Sequence, residues 1–223
     1  MLNRLVGGRG RLIVLEAGCG SSTHVTLPTD ANIVGIDISP EQLEKNKYLK
    51  EKILGDVQTY DFDKESFDLI ICWDVLEHLP NPRNALKSFV RAAKPNGVIL
   101  LALPNVYSLK GLITKFTPHW FHVWVYRHIY GNENAGKSGF APFETFLRPS
   151  ISAGALRRFA HENGLIEEFT CLYESSMVTG LKNRSKFLYA GYRATLWLLR
   201  VISLGTYDGA KSDIFIVLRK PMD

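Results

Sequence analysis

Asp74, Glu77 and His78 combine residue types and a spacing that are suited to chemistry. On one turn of helix, positions i, i+3 and i+4 share a face, so two carboxylates and an imidazole would converge on one point. Such a set could bind a divalent cation of the Mg²⁺ or Mn²⁺ kind, which would lower the pKa of a substrate hydroxyl. Alternatively, His78 acts alone as a general base, or Glu77 and His78 only fix the loop. We take all three as candidate catalytic residues, and the sequence leaves their roles open.

No other metal ligand can be assigned from a motif. The three histidines between residues 119 and 128 are candidates by residue type only. The three cysteines form no CxxC pair, so the sequence indicates neither a zinc site nor a disulfide framework. We therefore assign no residue as a metal ligand.

A glycine loop between Leu12 and Ser22 is the second feature with chemical meaning. The apolar run Leu12–Leu15 is typical of a strand buried on both faces of a parallel sheet, and Glu16 follows it. Gly18 and Gly20 allow a sharp turn, and the hydroxyl residues after them can cap a helix. The third glycine of the dinucleotide fingerprint is missing. An acidic residue before the loop repels a phosphate but suits a ligand that carries an ammonium group.

Two more acidic residues follow predicted strands. Asp37 comes after the apolar run Asn32–Ile36, about twenty residues beyond the glycine loop, where a carboxylate can accept hydrogen bonds from both hydroxyls of a ribose. Asp56 comes just after a third short strand, Lys52–Gly55. Because ligands of open α/β sheets bind at the carboxyl ends of the strands, we expect one pocket beside the glycine loop.

The elements that must position these residues alternate between strands and helices. A fourth strand, Phe67–Trp73, precedes Asp74, and a fifth, Val98–Leu103, follows a helix that begins after Asn81. Five alternating strands predict a doubly wound parallel sheet. Other elements are predicted by capping and apolar patterns: a helix from Pro40 to Leu49, a helix at Ser152–Asn163, a strand at Leu165–Leu172, a helix at Ser185–Ser203 and a last strand at Ser212–Leu218.

The motif ExGCGxS, from Glu16 to Ser22, resembles the first motif of the class I S-adenosylmethionine-dependent methyltransferases. The resemblance implies a Rossmann-like α/β fold with a doubly wound, seven-stranded, mostly parallel sheet and a helical, aromatic cap insertion. It implies S-adenosylmethionine as cofactor, with Asp56 accepting from the adenine amino group. The cofactor-binding residues that we assign are Glu16, Gly18, Cys19, Gly20, Asp37, Ile38, Asp56, Val57 and Trp73. We expect a single domain over residues 1–223, divided into a cofactor-binding core (12–104), a cap insertion (105–150) and a C-terminal part (151–223).

Two further segments are similar to particular methyltransferases. The order acidic-xx-Glu-His at Asp74 is similar to that of ubiquinone-pathway catechol O-methyltransferases and small-RNA 2′-O-methyltransferases, where it binds the metal. The sequence FETFLRPS, Phe143 to Ser150, resembles the segment after the membrane-facing insertion of the ubiquinone enzymes. EHL at this place is also common in methyltransferases without a metal. The absence of a DPPY-like tetrapeptide after the fourth strand disfavours methylation of adenine in DNA.

Charge and aromatic residues are concentrated in the second half of the chain. The net charge is +5, with −1 in residues 1–104 and +6 in residues 105–223, which also hold 19 of the 25 aromatic residues. This pattern predicts a hydrophobic substrate or an anionic or lipid-like surface as partner. Peripheral membrane contact is therefore left open, and the oligomeric state is not indicated.

We predict a methyltransferase that acts mainly on oxygen of a hydrophobic small molecule, such as a phenol, a quinone precursor, a lipid or a secondary metabolite. One alternative is an RNA methyltransferase that uses the basic second half, although nucleic acid is the less favoured partner. Another is a protein that binds the cofactor without transferring methyl groups. The sequence has no apolar run of about 18 residues and no secretory signal pattern, so we expect a cytoplasmic protein, with membrane association left open.

Overall fold

The computed structural model describes residues 10–137 and 140–222, which contain one seven-stranded sheet. The strands are β1 Ile13–Ala17, β2 Asn32–Asp37, β3 Glu51–Leu54, β4 Phe67–Trp73, β5 Ala93–Pro104, β6 Ile166–Tyr173 and β7 Asp213–Arg219. The α-helices are α1 Pro40–Lys45, α2 Pro82–Ala92, α3 Leu109–Phe116, α4 His119–His128, α5 Ala153–Glu162, α6 Ser176–Arg184 and α7 Lys186–Ile202. Short 3-10 helices span Leu76–His78 and Pro149–Ile151.

The strand order is β3-β2-β1-β4-β5-β7-β6. Strands β1 to β5 are parallel to one another, and β7 is antiparallel to both β5 and β6. This arrangement confirms the predicted fold class, a seven-stranded and mostly parallel sheet. Because β6 runs in the same direction as β5, the ends of β1 to β6 and the start of β7 lie on one side of the sheet, which we call the carboxyl edge.

Two apolar clusters hold the sheet in place, and alternate strand residues contribute to each. Leu15 of β1 lies in the larger cluster together with Phe89 of α2 and Phe159 of α5. Val14 lies in the smaller cluster, against Val25 from the segment that follows the glycine loop. Strands buried on both faces explain why their sequences are continuously apolar.

Two expectations about the first strand and its loop are wrong. Strand β1 extends to Ala17, so Glu16 lies inside the strand and is buried, with 3% of its surface exposed. No helix follows the glycine loop, and residues 21–31 form turns instead. Val25, Thr26 and Pro28 disfavour a helix in this short segment, because two are β-branched and the third lacks a backbone donor.

Helix boundaries are otherwise close to the predicted ones. Helix α1 ends at Lys45 rather than Leu49, because Asn46 has an extended backbone with φ of −74° and ψ of 107°. Helix α7 is confirmed, with the Ser185 hydroxyl accepting from the N–H of Leu188 as its N-cap. Helix α6, which directly precedes α7, was not predicted.

Two helical segments extend from the carboxyl edge: α3 and α4 after β5, and α6 and α7 between β6 and β7. Among residues 10–137 and 140–222, no helix has the length and apolar character needed to cross a bilayer. The division of the chain at residues 104 and 150 remains a prediction.

Candidate active site

The glycine loop after β1 is packed closely against the neighbouring strand ends. The N–H groups of Gly18 and Cys19 both donate to the carbonyl of Ile36, at 2.8 and 3.1 Å. Gly18 has a φ of +70°, and a Cβ atom there would lie 2.3 Å from Cγ2 of Val75. Gly20 has a φ of +52°, but its nearest neighbour would be 3.9 Å away. Both positions favour glycine because their φ angles are positive, and position 18 also favours it because the Val75 side chain leaves no room for a Cβ atom.

The Cys19 side chain is buried, with 2% of its surface exposed. Burial raises the pKa of its thiol to about 12, and the negative charges of Asp37 and Glu16 act in the same direction. The thiol is therefore un-ionised at neutral pH, and only the backbone of Cys19 is suited to hold a ligand.

The side chain of Asn46 supports the glycine loop by hydrogen bonds, a role that was not predicted from the sequence. Its side-chain amide is fully buried and donates to the carbonyls of Gly20, at 3.2 Å, and Cys19, at 3.4 Å. Its side-chain oxygen accepts from the N–H of Tyr48 at 3.1 Å. These contacts join residues far apart in the chain, so no local pattern could indicate them.

Glu16 is a buried carboxyl group with unused hydrogen-bonding capacity. The hydroxyl of Thr23 donates to its Oε1, whereas its Oε2 has no partner within the described residues. Burial raises the pKa of Glu16, and the Thr23 hydroxyl opposes that shift. A ligand ammonium group would satisfy the unpaired oxygen and stabilise the charged carboxylate.

Asp37 ends β2 directly opposite the glycine loop. Its carboxylate accepts from the N–H of Gly20 at 2.8 Å and from the N–H of Ser39 at 2.9 Å. Each carboxylate oxygen has a second lone pair, which leaves room for two hydroxyl donors. The next residue, Ile38, exposes 74% of its surface and offers an apolar contact beside this carboxylate.

Asp56 follows β3, and its carboxylate is engaged by its own loop. The backbone N–H of Gln58 donates to Asp56 Oδ1 at 2.8 Å, and the Gln58 side-chain amide donates to Oδ2 at 2.9 Å. The Gln58 side-chain oxygen accepts from the N–H of Asn81 at 2.9 Å, so this loop is tied to the start of α2. Val57 is buried with 4% exposed.

Trp73 ends β4 and forms an aromatic wall. Its ring is stacked on His24 with 5.7 Å between centroids and contacts the edge of Phe215 at 6.0 Å. Neither neighbour was identified from the sequence. His24 belongs to the turn segment after the glycine loop, and Phe215 to β7, so the wall depends on the fold.

Asp74 is in a strained conformation. Its φ of 52° is unusual for a residue other than glycine, and its N–H donates to the carbonyl of Ala102 at 2.8 Å. Its side chain is exposed, but partial desolvation by the surrounding protein raises its pKa. The charge of Lys110 opposes this shift, and the charge of Asp213 adds to it. Because Asp74 precedes the 3-10 helix Leu76–His78 in this conformation, the expected single helical turn from Asp74 to His78 is not formed.

Glu77 is almost completely buried, with 3% of its surface exposed. Burial raises its pKa well above the usual value, and the negative charge of Asp74 adds to this effect. Its Oε2 has no hydrogen-bond partner in the described part of the chain. Its backbone carbonyl accepts from the N–H groups of Phe146, at 2.8 Å, and Leu147, at 3.2 Å, which fastens that later segment to the 3-10 helix.

His78 is held as a neutral imidazole with a defined tautomer. Its Nδ1 lies 2.6 Å from the carbonyl oxygen of Glu144, and since a carbonyl only accepts, Nδ1 carries the proton. Burial lowers the pKa of His78, although the contact with Glu144 opposes this. Nε2 is therefore an acceptor, and it lies 3.9 Å from Oε1 of Glu77. Phe143 packs edge-on against the ring.

The donor set does not fit a divalent cation. Within residues 10–137 and 140–222, no three His, Cys, Asp or Glu side chains are grouped so that they could hold a metal ion. Two of the later histidines have other contacts: His122 Nε2 with the Thr117 hydroxyl at 2.8 Å, and His128 Nδ1 with the Trp124 carbonyl at 3.0 Å. The described residues therefore give no geometric basis for a metal ion at Asp74.

A second group of polar side chains surrounds Asp74 and was not predicted. Lys110 of α3 forms an ion pair with Asp213 of β7, at 3.1 and 3.3 Å. Burial raises the pKa of Tyr126, and the charges of Asp74 and Glu77 are among the further causes. Helix α4 thus places a phenol within electrostatic reach of these carboxyl groups.

The assembled residues fit S-adenosylmethionine. The unpaired oxygen of Glu16 suits its ammonium group, Asp37 suits the ribose hydroxyls, and Ile38 offers apolar surface for the adenine. Gly18 has no side chain, so the backbone of the loop at this position is not covered by one. The individual roles of these residues remain predictions, because they rest on the chemistry of the donors.

Comparison with known proteins gives independent findings. Residues 15–101 match the family described as methyltransferase domain. A protein of uncharacterized function from Methanocaldococcus jannaschii is 34% identical over 97 residues, which is 44% of this chain and 43% of that protein. A ubiquinone biosynthesis O-methyltransferase from Histophilus somni is 25% identical over 199 residues, covering 82% of this chain and 76% of that enzyme. The match to the Methanocaldococcus jannaschii protein thus spans less than half of that protein's length.

Solved structures share the fold. Phosphoethanolamine N-methyltransferase 2 from Haemonchus contortus, in complex with S-adenosyl-L-methionine, has a TM-score of 0.62 at 16% identity, covering 99% of this chain and 51% of that chain. A methyltransferase structure from Bacillus halodurans C-125, described there as putative, has a TM-score of 0.59 at 14% identity and covers 99% of this chain and 97% of its own. At these identities the likeness concerns the fold alone.

Proposed function

Because this chain carries a class I S-adenosylmethionine-dependent methyltransferase domain, we propose that it transfers a methyl group from S-adenosylmethionine to an oxygen of a hydrophobic small molecule. The observation that supports oxygen as the acceptor is the His78 tautomer, which presents an unprotonated Nε2 at the end of β4. A hydroxyl acceptor must lose a proton during transfer, so a fixed neutral base is useful there.

S-adenosylmethionine supplies a methyl group on a positively charged sulfur. With this cofactor bound, His78 Nε2 would take the proton of the acceptor hydroxyl as the oxygen bonds to the methyl carbon, and the electron pair of the broken carbon–sulfur bond would remain on sulfur. Oε1 of the buried Glu77 is 3.9 Å from Nε2, so a carboxyl oxygen lies beside the imidazolium that forms. The contacts of Glu144 and Phe143 hold the imidazole in place.

The wall around the site favours a hydrophobic acceptor. Trp73 and Phe215 form an aromatic surface at the end of β4 and near the start of β7. Tyr126 of α4 and Tyr130, two residues beyond the end of α4, contact Met177 of α6, so the two helical segments meet beside the carboxyl edge. The O-methyltransferase name of the Histophilus somni relative agrees with this proposal.

The test is a transfer assay with S-adenosylmethionine labelled on its methyl group. Purified protein is incubated with an organic-solvent extract of cells, with total RNA, or with buffer alone. We expect label in the organic fraction, in a product heavier by one methylene, and retained activity in EDTA. Label in RNA would support the RNA alternative instead, and cofactor binding without any transfer would support a non-transferring protein.

Loss of turnover in EDTA, restored by Mg²⁺ or Mn²⁺, would contradict the role of His78 as the sole base. In that case, Glu77→Ala and His78→Ala variants should be equally impaired, because each would remove a metal ligand.

A further inference from the structure

Helix α7 lies in the connection between the end of β6 and the start of β7, on the carboxyl edge of the sheet. It packs against the rest of the protein along one side only, which includes the buried Leu196 and the half-buried Tyr189 and Tyr192. The residues on the opposite side are exposed to solvent.

This exposed side is apolar along the whole helix, which is the reverse of an ordinary surface helix. At 100° per residue, its members cover an arc of roughly 140° and a length of about 22 Å. They are Phe187, Ala190, Gly191, Ala194, Trp197, Leu198, Val201 and Ile202. Phe187 exposes 86% of its surface, Ile202 69% and Trp197 67%. We call this set the outer face of α7.

Basic side chains line one border of the outer face. Lys186, Arg193 and Arg200 project next to Trp197 on the helical projection, at spacings of seven residues. Arg193 is 3.7 Å from Glu174, whereas Lys186 and Arg200 have no ion-pair partner within the described residues. Long basic side chains of this kind can keep their charge in water while their stems cover apolar surface.

The surrounding sequence is strongly biased in charge. Residues 175–207 contain five Lys and Arg residues and no Asp or Glu. At the C-terminal end of α7, a shallow depression of about 460 Å³ is lined by Trp197, Arg200, Val201, Leu204 and Gly205. A cationic group therefore borders an open apolar hollow, and Leu204 exposes 91% of its surface there.

We propose that the outer face of α7 is a docking surface for an anionic lipid bilayer. Apolar side chains would enter the acyl boundary while the basic border contacts lipid phosphates, as in helices that lie in the plane of a membrane. A second copy of this chain is the less suitable occupant, because a symmetric contact would bring two basic segments without acidic residues against each other. The docking does not depend on which acceptor is methylated.

The test is sedimentation of the full-length protein with vesicles of phosphatidylcholine alone or mixed with phosphatidylglycerol. We expect binding to the anionic vesicles that weakens as salt is added. The variant Phe187→Ser/Val201→Ser should lower the partition coefficient at least about tenfold, because two exposed apolar side chains are lost. The variant Lys186→Gln/Arg200→Gln should lower it about tenfold or more on anionic vesicles only.

Ile166→Ser is the matched control, since Ile166 and Val201 each expose 51% of their surface and Ile166 begins β6 at the opposite edge of the sheet. Its binding should equal that of the wild type. Absence of binding by the wild type, or equal loss in the control, would overturn the proposal. A second result would also overturn it: the wild type self-associates in sedimentation equilibrium, Phe187→Ser/Val201→Ser does not, and neither of these two proteins binds vesicles.

Discussion

The glycine loop allows a prediction that separates backbone strain from crowding. Gly18 and Gly20 both have positive φ, of +70° and +52°. A Cβ atom on Gly18 would lie 2.3 and 2.9 Å from the two methyl carbons of Val75, whereas on Gly20 its nearest neighbour would be 3.9 Å away. Gly18→Ala should therefore suffer both strain and overlap, and Gly20→Ala only strain.

The expected magnitudes follow from these contacts. A left-handed backbone costs an alanine about 1–2 kcal/mol. Extra volume in a packed site adds about 1–3 kcal/mol, so Gly18→Ala should lower the free energy of unfolding by about 2–5 kcal/mol. Replacing Val75 by Ala removes both overlapping methyl groups and leaves its Cβ at 3.2 Å, which a small shift relieves. The double variant Gly18→Ala/Val75→Ala should recover most of the overlap energy.

Urea unfolding of both glycine variants, alone and with Val75→Ala, forms two double-mutant cycles. We expect a coupling energy of about 1–3 kcal/mol between positions 18 and 75, and one near zero between positions 20 and 75. Calorimetry with S-adenosylhomocysteine should show weaker binding for Gly18→Ala. Equal destabilisation by the two glycine substitutions, without coupling at position 75, would refute this reasoning.

Three further predictions concern residues around the loop and at the end of β4. His78→Gln should lower kcat about 10²–10⁴-fold without weakening S-adenosylhomocysteine binding. Because burial lowers the pKa of this base, the acid limb of the wild-type kcat/KM profile should lie below pH 6.5. An acid limb above pH 6.5 would contradict the role of His78 as the base. Burial raises the pKa of Glu77, so the native state keeps a proton that the unfolded chain loses above about pH 4.5, and native stability falls as pH rises through that range. The melting temperature of Glu77→Gln relative to wild type should therefore increase from pH 4 to pH 8, and a difference independent of pH would argue against a buried neutral Glu77. Asn46→Ala leaves two loop carbonyls without their donor and should cost about 1–3 kcal/mol in urea unfolding, and an unchanged midpoint would count against the role of Asn46 in supporting the loop.

The parts of the site that depend on local sequence could be predicted. Gly18, Gly20 and Asp37 lie at strand ends, and a parallel sheet necessarily brings such ends to one edge. The apolar runs located the strands for the same reason, since strands buried on both faces have no polar face to interrupt them.

The parts that depend on distant contacts could not be predicted. Asn46 reaches back 26 residues to the loop, and Glu144 lies 66 residues beyond the imidazole that it orients. The spacing of Asp74, Glu77 and His78 predicted convergence only on the assumption of a regular helix. The positive φ of Asp74 and the 3-10 geometry of the next residues break that assumption.

Helix α7 illustrates a different limit. Its apolar periodicity predicted the helix but not which side faces the protein. The structure assigns the inward side to Tyr189, Tyr192 and Leu196, which leaves the other apolar side exposed. A sequence with apolar residues around most of a helix cannot distinguish these two sides by itself.

The most direct test of the cofactor site is calorimetric titration of S-adenosylhomocysteine into the wild type, Asp37→Ala and the control Asp63→Ala, whose side chain is exposed in the loop before β4. We predict binding at one site in the wild type and the control. In Asp37→Ala we predict at least about tenfold weaker binding, because hydrogen bonds to a charged carboxylate are lost. Absence of binding in the wild type, or equal affinity in all three proteins, would contradict the proposed site.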